Sequence, residues 1–160
     1  MKILISDKMS NKVEDVLNSK SIEYDIKTGL EPDELKSIID DYDGILIRSA
    51  TKLTADILEN CSNLKVIGRA GVGVDNVDLD VATKNKILVM NTPLGNLEAT
   101  AELTVGLMFS LYRHIHNANS STHEGKWEKA KFMGTELKGK TLGIVGFGNI
   151  GQRVAEICKV

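Results

Sequence analysis

Three glycines between residues 146 and 151 have the spacing of a dinucleotide-binding turn. Gly146, Gly148 and Gly151 form a G-x-G-x-x-G pattern directly after the apolar stretch LGIV. In such a turn the first glycine permits a tight bend, the second lets a pyrophosphate approach the backbone, and the third lets the next helix pack closely. The start of that helix offers free N–H groups and the positive end of the helix dipole to phosphates. The pattern predicts nucleotide binding, and a purely structural glycine turn is the alternative.

Two arginines stand directly after apolar runs in the first half of the chain. Arg48 and Ser49 follow GILI, and Arg69 follows LKVIG. The carboxyl ends of parallel strands meet at one edge of a sheet, where the ligands of such sheets bind. A guanidinium can hold two oxygens of a carboxylate or phosphate at once, which favours an anion site at this edge. The equally supported alternative is that both arginines only pair with surface carboxylates such as Asp43 or Asp75.

A second glycine-rich loop, GVGVDNVD, covers residues 71–78. It lacks the lysine and the Ser/Thr of a P-loop, which argues against binding of a nucleoside triphosphate. The loop is either a strand-to-helix connection in which Asn76 or Asp78 caps the next helix, or a point of close backbone approach to a ligand.

The three histidines do not form a catalytic or metal site by themselves. His114 and His116 are two residues apart and would point in different directions on a helix, and His123 lies in a polar stretch. The sequence therefore predicts no metal site and no Ser-His-Asp arrangement.

The bulk composition narrows the class of protein. A chain of 160 residues allows one domain, or one domain plus part of a second. The net charge of -2 gives no electrostatic footprint for nucleic acid or an anionic membrane. Cys61 and Cys158 lack ligand spacing, which predicts two reduced thiols. Because neither a signal peptide nor a membrane helix is visible, we expect a cytoplasmic protein with no nucleic-acid or membrane partner.

Short apolar runs alternate with amphipathic segments, the pattern of a parallel sheet flanked by helices. Apolar residues at helical spacing predict helices around residues 13–17, 35–39, 57–58 and 79–82. Pro32 suits a first helical turn, and Thr54 an N-cap. The predicted strands are KILIS (2–6), SIEYDIK (21–27), GILIRS (44–49), LKVIGRA (64–70) and KILVMN (86–91).

The pattern changes after a proline-glycine turn at residues 92–95, which resembles a domain hinge. From Leu97 to Asn119 apolar residues recur every three or four positions, which predicts one long helix. The stretch KTLGIVGFGNIG, residues 140–151, predicts a strand, a glycine turn and a helix start.

Four segments in this order resemble the D-2-hydroxyacid dehydrogenase family. They are RSATKLTADI (48–57), GRAGVGVDNVDLDVA (68–82), NTPLGNLEATAELTVGLM (91–108) and GKWEKAKFMGTELKGKTLGIVGFGNIG (125–151). The resemblance implies an α/β fold in two parts. Residues 1–95 would form a flavodoxin-like parallel-sheet substrate domain, and residues 96–160 the truncated start of a Rossmann NAD-binding domain.

The resemblance also implies a reaction and its residues. NAD+ would take a hydride from C2 of 3-phosphoglycerate and give 3-phosphohydroxypyruvate, the entry step of serine biosynthesis. Trp127 would pack so as to place Lys129. The implied substrate contacts are Arg48, Ser49, Arg69, Asn96 and Lys129; the implied cofactor contacts are Val72, Gly146, Gly148, Asn149, Ile150 and Gly151.

Other parts that the resemblance implies have no counterpart here. The family's arginine, glutamate and histidine, which bind the substrate carboxylate and remove the hydroxyl proton, are not among these residues. The acidic residue expected ~20 residues beyond the glycine turn falls after Val160. We therefore expect no catalytic residue and no turnover from the 160-residue chain alone. The complete enzyme would be a homodimer or larger homo-oligomer.

Two other functions stay open at this stage. One is a different D-2-hydroxyacid dehydrogenase, acting on glycerate, lactate or a related acid. The other is a non-catalytic module that binds a small molecule through residues 1–95.

Overall fold

Five short apolar segments pair into one parallel sheet. The structure is a computed structural model and describes residues 1–159. The strand order is β2-β1-β3-β4-β5, which is the flavodoxin-like order. All five predicted strands and the parallel α/β architecture are confirmed. The strands are β1 (Lys2–Ile5), β2 (Glu23–Ile26), β3 (Gly44–Ile47), β4 (Val66–Arg69) and β5 (Leu88–Asn91).

Four helices connect these strands, as the apolar spacing predicts. Pro32 lies in the first turn of its helix, where its missing N–H costs no hydrogen bond. Thr54 occupies an N-cap position without a side-chain bond. Asp78, rather than Asn76, caps the fourth helix, since its carboxylate accepts from Val81 N at 3.0 Å. The helices are α1 (Lys12–Ser19), α2 (Pro32–Ile38, followed by a 3-10 turn at Ile39–Asp41), α3 (Ala55–Leu58) and α4 (Leu79–Lys84).

The two faces of the sheet pack against different helices. On one face, strand residues such as Leu4 and Ile67 are buried with side chains of α2, α3 and α4. On the other face, Ile3 and Ile5 pack with Leu17 of α1. Each fully buried leucine or isoleucine stabilises the fold by roughly 1.5–3 kcal/mol. This two-sided core fixes the strand ends from which the polar loops leave.

The chain divides into two compact units, Met1–Gly95 and the described residues from Asn96 onward. In the second unit α5 (Leu97–Tyr112), α6 (Ile115–His123) and α7 (Asn149–Ile157) are the described helices. Arg153 of α7 donates to Glu98 of α5 at 2.9 Å, and Val154 is buried. No helix within residues 1–159 is long and apolar enough to cross a membrane.

The prediction of one helix from Leu97 to Asn119 is wrong. The helix breaks after Tyr112, and His114 adopts a left-handed backbone with φ 53°. In a continuous helix the Tyr112 carbonyl would accept from residue 116; here it accepts from Thr135 N at 2.9 Å. A Cβ at Gly134 would overlap that same carbonyl, so a later loop docks tightly on the helix end.

The predicted strand before the glycine turn is also absent. Residues 141–145 carry no strand, and Val145 is fully exposed. A parallel strand needs a neighbour for its backbone groups, and the described residues from 96 onward supply no second strand. The helix that the pattern predicts after the turn does form, as α7.

Candidate functional site

The strand order has a switch point at the carboxyl ends of β1 and β3. The chain runs from β1 outward to β2 and then back to β3, so neighbouring strands β1 and β3 mark the point where the strand order reverses. Ligands of open parallel sheets bind at such a switch point. Ser6 and Asp7 follow β1, and Arg48 and Ser49 follow β3. The predicted anion-binding residues therefore stand at the edge where a ligand is expected.

Arg48 is exposed, and its guanidinium forms no ion pair within residues 1–159. Its Nη1 donates to the backbone oxygen of Lys8 at 3.3 Å. Asp43, one carboxylate considered as a partner, instead binds Lys65 and the backbone N–H of Lys2. The ion-pair alternative is thus wrong for Arg48, and its charge is available to an anion.

Arg69 is held much more tightly than Arg48. Its side chain is 12% exposed, and Nε donates to Asn76 Oδ1 at 2.9 Å. Nη2 lies 3.9 Å from the carboxylate of the exposed Asp75, so the ion-pair alternative is correct for this arginine. Because Asp75 is in solvent, this ion pair contributes at most about 1 kcal/mol. A Cβ at Gly71 would overlap the guanidinium, so this glycine keeps room for Arg69.

A buried carboxylate supports the loop that follows β3. Asp7 is only 6% exposed, and its Oδ2 accepts from Arg48 N at 2.5 Å and from Thr51 N at 3.2 Å. Its Oδ1 accepts from Thr51 Oγ1 at 2.9 Å, and Ser6 Oγ lies 2.9 Å from that hydroxyl. Sequence reasoning missed Asp7 and Thr51. The available signal was the place of Asp7 directly after the strand KILIS.

Asn76 holds the same loop from the other side. Its Nδ2 donates to the carbonyl oxygens of Arg48 at 2.7 Å and Thr51 at 2.6 Å. Its Oδ1 accepts from Arg69, so one amide connects both arginines of the site. The sequence suggested Asn76 only as a helix cap, and the structure shows this different role.

The loop after β4 is fixed by the last residue of β5 and the residue that follows it. The backbone oxygen of Gly71 accepts from Thr92 N at 3.0 Å, and that of Val72 accepts from Asn91 Nδ2 at 2.6 Å. The side chain of Val72 stays exposed. Val72, an implied cofactor contact, therefore lies on a hydrogen-bonded and accessible loop.

Ser49 lies in a polar cavity at the same edge. The cavity has a volume of about 430 Å³, and Lys52, Asp75 and Asn76 contribute to its walls. Ser49 is an exposed residue of the cavity wall.

In the second unit, Lys129 lies on a segment that Ser121 anchors. The buried Ser121 donates to Glu128 at 2.8 Å, and this bond keeps the pKa of Glu128 below its usual value. Lys129 is exposed and borders a cavity of about 600 Å³ together with Arg113. Trp127 is 85% exposed, so the expectation that it packs to place Lys129 is wrong. The Ser121–Glu128 bond holds this segment instead.

Asn96 occupies the N-cap position of α5, but its side chain makes no capping hydrogen bond. The residue is exposed, and its backbone oxygen accepts from Thr100 N at 2.9 Å. Its amide therefore remains accessible within the described part of the chain.

The glycine turn combines a left-handed glycine, an open Cβ position and a close contact between glycines. Gly146 has φ 92°, a left-handed conformation that favours glycine. The Cβ position of Gly148 faces open space, and α7 begins at Asn149. Gly151 lies so close to the Gly146 carbonyl that no side chain fits between them. Ile150, on the first turn of α7, is partly exposed. These features fit a dinucleotide at the start of α7.

The remaining groups with reactive chemistry stand apart from this site. Burial raises the pKa of the Cys61 thiol to about 11, which keeps it protonated at neutral pH. Cys158 is free and exposed. Within residues 1–159 no cluster of three His, Cys, Asp or Glu side chains could hold a metal ion.

The fold and the site together define a class: an α/β protein with cations at a switch-point edge and a dinucleotide-type turn in a second unit. The chain belongs to the D-isomer specific 2-hydroxyacid dehydrogenase family, whose catalytic-domain sequence model matches residues 3–145.

Individual relatives agree with this membership. Human D-3-phosphoglycerate dehydrogenase is 50% identical over 154 residues, which are 96% of this chain and 29% of the human protein. Hydroxypyruvate reductase of Thermotoga maritima is 46% identical over 155 residues, 97% of this chain and 51% of that protein. The solved structure of NAD+-bound 3-phosphoglycerate dehydrogenase from Entamoeba histolytica is 33% identical, with a TM-score of 0.76 over 99% of this chain and 50% of that one. The chain thus spans about half or less of these relatives.

Proposed function

We propose that the protein oxidises 3-phosphoglycerate to 3-phosphohydroxypyruvate with NAD+, the entry step of serine biosynthesis. The observation that carries this proposal is the pair Arg48 and Arg69 at the switch-point edge, with the Arg48 guanidinium free of any carboxylate within residues 1–159. The strong similarity to the human enzyme of that name supports the same substrate.

The charges of the substrate match these residues. 3-Phosphoglycerate carries a phosphate and a carboxylate, and the chain has a net charge of -2, so binding depends on local cations. The exposed Arg48 can hold two oxygens of one anionic group, with the hydroxyl of Ser49 beside it. Arg69 adds a fixed charge at the next strand end. Asn96 and Lys129 are further proposed contacts from the second unit.

The glycine turn is the proposed pyrophosphate site. Gly148 leaves space for the phosphates. Asn149 and Ile150 are the first residues of α7, and their backbone N–H groups would donate to the phosphates. Gly146 and Gly151 keep the turn tight, and Val72 is the proposed contact for the nicotinamide. Bound NAD+ supplies the hydride acceptor for C2 of the substrate. The choice of NAD+ over NADP+ is supported by the NAD+ in the related Entamoeba structure.

Each unit has a proposed role. Residues 1–95 form the substrate-binding part, because they carry Arg48 and Arg69 at the carboxyl ends of the strands, which we call the arginine edge. Residues 96–160 begin the NAD-binding part, because they carry the glycine turn. We also propose that the protein is cytoplasmic and a homo-oligomer, with the exposed leucines of α5 as the contact.

A second candidate function is reduction of hydroxypyruvate. It is favoured by the Thermotoga relative of that name, which is 46% identical to this chain. Hydroxypyruvate lacks the phosphate, so it would leave one of the cations at the arginine edge without a partner.

The two candidates are separated by assays in the reducing direction. The protein expressed from its complete gene is supplied with NADH and either 3-phosphohydroxypyruvate or hydroxypyruvate. We expect kcat/KM for the phosphorylated acid to exceed that for hydroxypyruvate by at least about hundredfold, because hydroxypyruvate cannot make the charge-assisted contacts of the phosphate. A preference for hydroxypyruvate would instead establish the second candidate.

A further inference from the structure

The loop that presents Arg48 is fixed by two side chains from outside it. The loop covers residues 48–51 and has no regular secondary structure. The N–H groups of Arg48 and Thr51 both donate to Asp7, and the carbonyl oxygens of the same two residues both accept from Asn76. Asp7 lies 41 positions from Arg48 in the sequence and Asn76 lies 28, so the loop conformation depends on tertiary contacts.

The side-chain amide of Asn76 supplies both the donors and the acceptor that its neighbours require. Both amide hydrogens bond to carbonyl oxygens, and the amide oxygen accepts from the Arg69 guanidinium. An aspartate of the same shape could still accept from Arg69. It would, however, present an oxygen to two carbonyl oxygens that need a donor, which is a costly arrangement.

We propose that Asn76 is a positioning residue that sets the geometry between Arg48 and Arg69, with Asp7 as its counterpart on the other side of the loop. The proposal rests on the function proposed above. Asn76 acts through the two arginines, because its own amide is fully used by protein partners. A small shift of a charged group away from its ligand can reduce the rate by a large factor. We call the bonds of Asp7 and Asn76 to residues 48–51 the clamp, and it fixes where the substrate's anionic groups bind.

Asn85 provides a matched control. Its Nδ2 donates to the carbonyl oxygens of Leu58 at 2.7 Å and Glu59 at 3.4 Å, the same type of contact as in Asn76. It lies where α3 and α4 end, at the opposite edge of the sheet. Replacing Asn85 by Asp tests the structural effect of a lost amide donor without touching the arginine edge.

The test compares Asn76→Asp and Asn85→Asp in the protein expressed from its complete gene. We expect Asn76→Asp to raise the KM for 3-phosphoglycerate by about tenfold or more, with the KM for NAD+ changed by less than about twofold. Asn85→Asp should leave both KM values within about twofold of the wild type, although it lowers the melting temperature. An unchanged KM for 3-phosphoglycerate in Asn76→Asp, or an equal rise in Asn85→Asp, overturns the proposal.

Amide hydrogen exchange gives a readout that needs no substrate. In Asn76→Asp the exchange of the Arg48 and Thr51 amides should become at least about tenfold faster, while the Ile45 amide within β3 keeps its protection. Unchanged exchange at both loop amides contradicts the clamp. If wild-type protein does not oxidise 3-phosphoglycerate, the proposed function fails, but this measurement still decides the role of Asn76. Asn76→Ala, which places no charge against the carbonyls, serves if the aspartate variant does not fold.

The Asp7 side of the clamp has its own matched pair. Asp40 accepts from Ser62 N, Asn63 N and Ser62 Oγ at 2.7–2.9 Å, the same two-amide and one-hydroxyl pattern as Asp7. Asp7→Asn should raise the KM for 3-phosphoglycerate by about tenfold, and Asp40→Asn should lower stability without that change. Equal KM values in the two variants would remove Asp7 from the proposal.

Discussion

At the scale of single residues, Arg48 and Arg69 differ in their freedom to move. Arg69 is nearly buried and bonded to Asn76, so its charge has a fixed position before any ligand binds. Arg48 is exposed and bonded only to a backbone oxygen through its side chain. A fixed cation costs little ordering entropy on binding, whereas the mobile one can adapt to the ligand. We therefore expect the removal of Arg48 to change the preference between substrates.

Replacing Arg48 by Gln should reduce activity on the phosphorylated acid most. We expect kcat/KM for 3-phosphoglycerate to fall by about hundredfold and that for glycerate by about tenfold or less, because a charge-assisted bond is worth about 1.5–3 kcal/mol. Steady-state kinetics of the protein from the complete gene provide the measurement. Lys8→Gln removes a neighbouring exposed charge and should change neither value. Equal losses on the two acids in Arg48→Gln would contradict the expectation that Arg48 favours the phosphorylated acid.

The sequence was sufficient to predict where the two arginines lie. It was not sufficient to predict which side chains hold them. Arg48 and Arg69 could be placed because they directly follow strands, and the carboxyl ends of parallel strands share one edge. Asp7 could have been noted, because it also directly follows a strand. Its bonds to Arg48 and Thr51 could not be predicted, and neither could those of Asn76, because they join residues 25–44 positions apart and no local pattern encodes such contacts. The ion pair of Arg69 with Asp75 could be anticipated, since only a short loop separates the two.

At the scale of elements, the break between α5 and α6 shows where periodicity misleads. Apolar spacing continues through residue 115, so the sequence predicts a single helix. The break arises because Thr135, from a distant loop, takes the carbonyl that the next turn would need. The five strands had no such competitor, and each could be predicted from a short apolar run between helices.

The left-handed backbone conformation of His114 leads to a prediction about stability. A non-glycine residue in this region costs about 1–2 kcal/mol, and glycine loses roughly 0.5–1 kcal/mol in chain entropy. His114→Gly should therefore stabilise the protein by about 0.5–1 kcal/mol in thermal or urea unfolding. The exposed His116 in α6 is the control, and His116→Gly should destabilise by up to about 1 kcal/mol. A loss of stability in His114→Gly equal to that in His116→Gly would contradict the assigned backbone.

At the scale of the whole molecule, the two units bury their apolar residues to different extents. In residues 1–95 helices cover both faces of the sheet around a continuous core. In the second unit α5 leaves Leu103, Leu107 and Leu111 exposed at four-residue spacing. A stripe of this kind is typical of a surface that further protein covers. The proposed partner is a second copy of the protein.

Leu107→Glu should therefore disrupt the oligomer. Burying a carboxylate in an apolar contact is costly, so we expect the mass measured by light scattering to fall to that of one chain. Leu79→Glu changes a similarly exposed leucine on α4 and should leave the mass unchanged. A wild-type protein that is already monomeric, or a Leu107→Glu variant that stays oligomeric, argues against α5 as the contact.

We propose that Arg48, Arg69 and the glycine turn belong to a dehydrogenase of 3-phosphoglycerate. The most direct measurement is NADH formation by the protein from its complete gene, with NAD+ and either 3-phosphoglycerate, D-glycerate or D-lactate. We expect kcat/KM for 3-phosphoglycerate to exceed the other two values by at least about hundredfold. NADH formation from glycerate or lactate with equal or higher kcat/KM, or none from 3-phosphoglycerate, would contradict it.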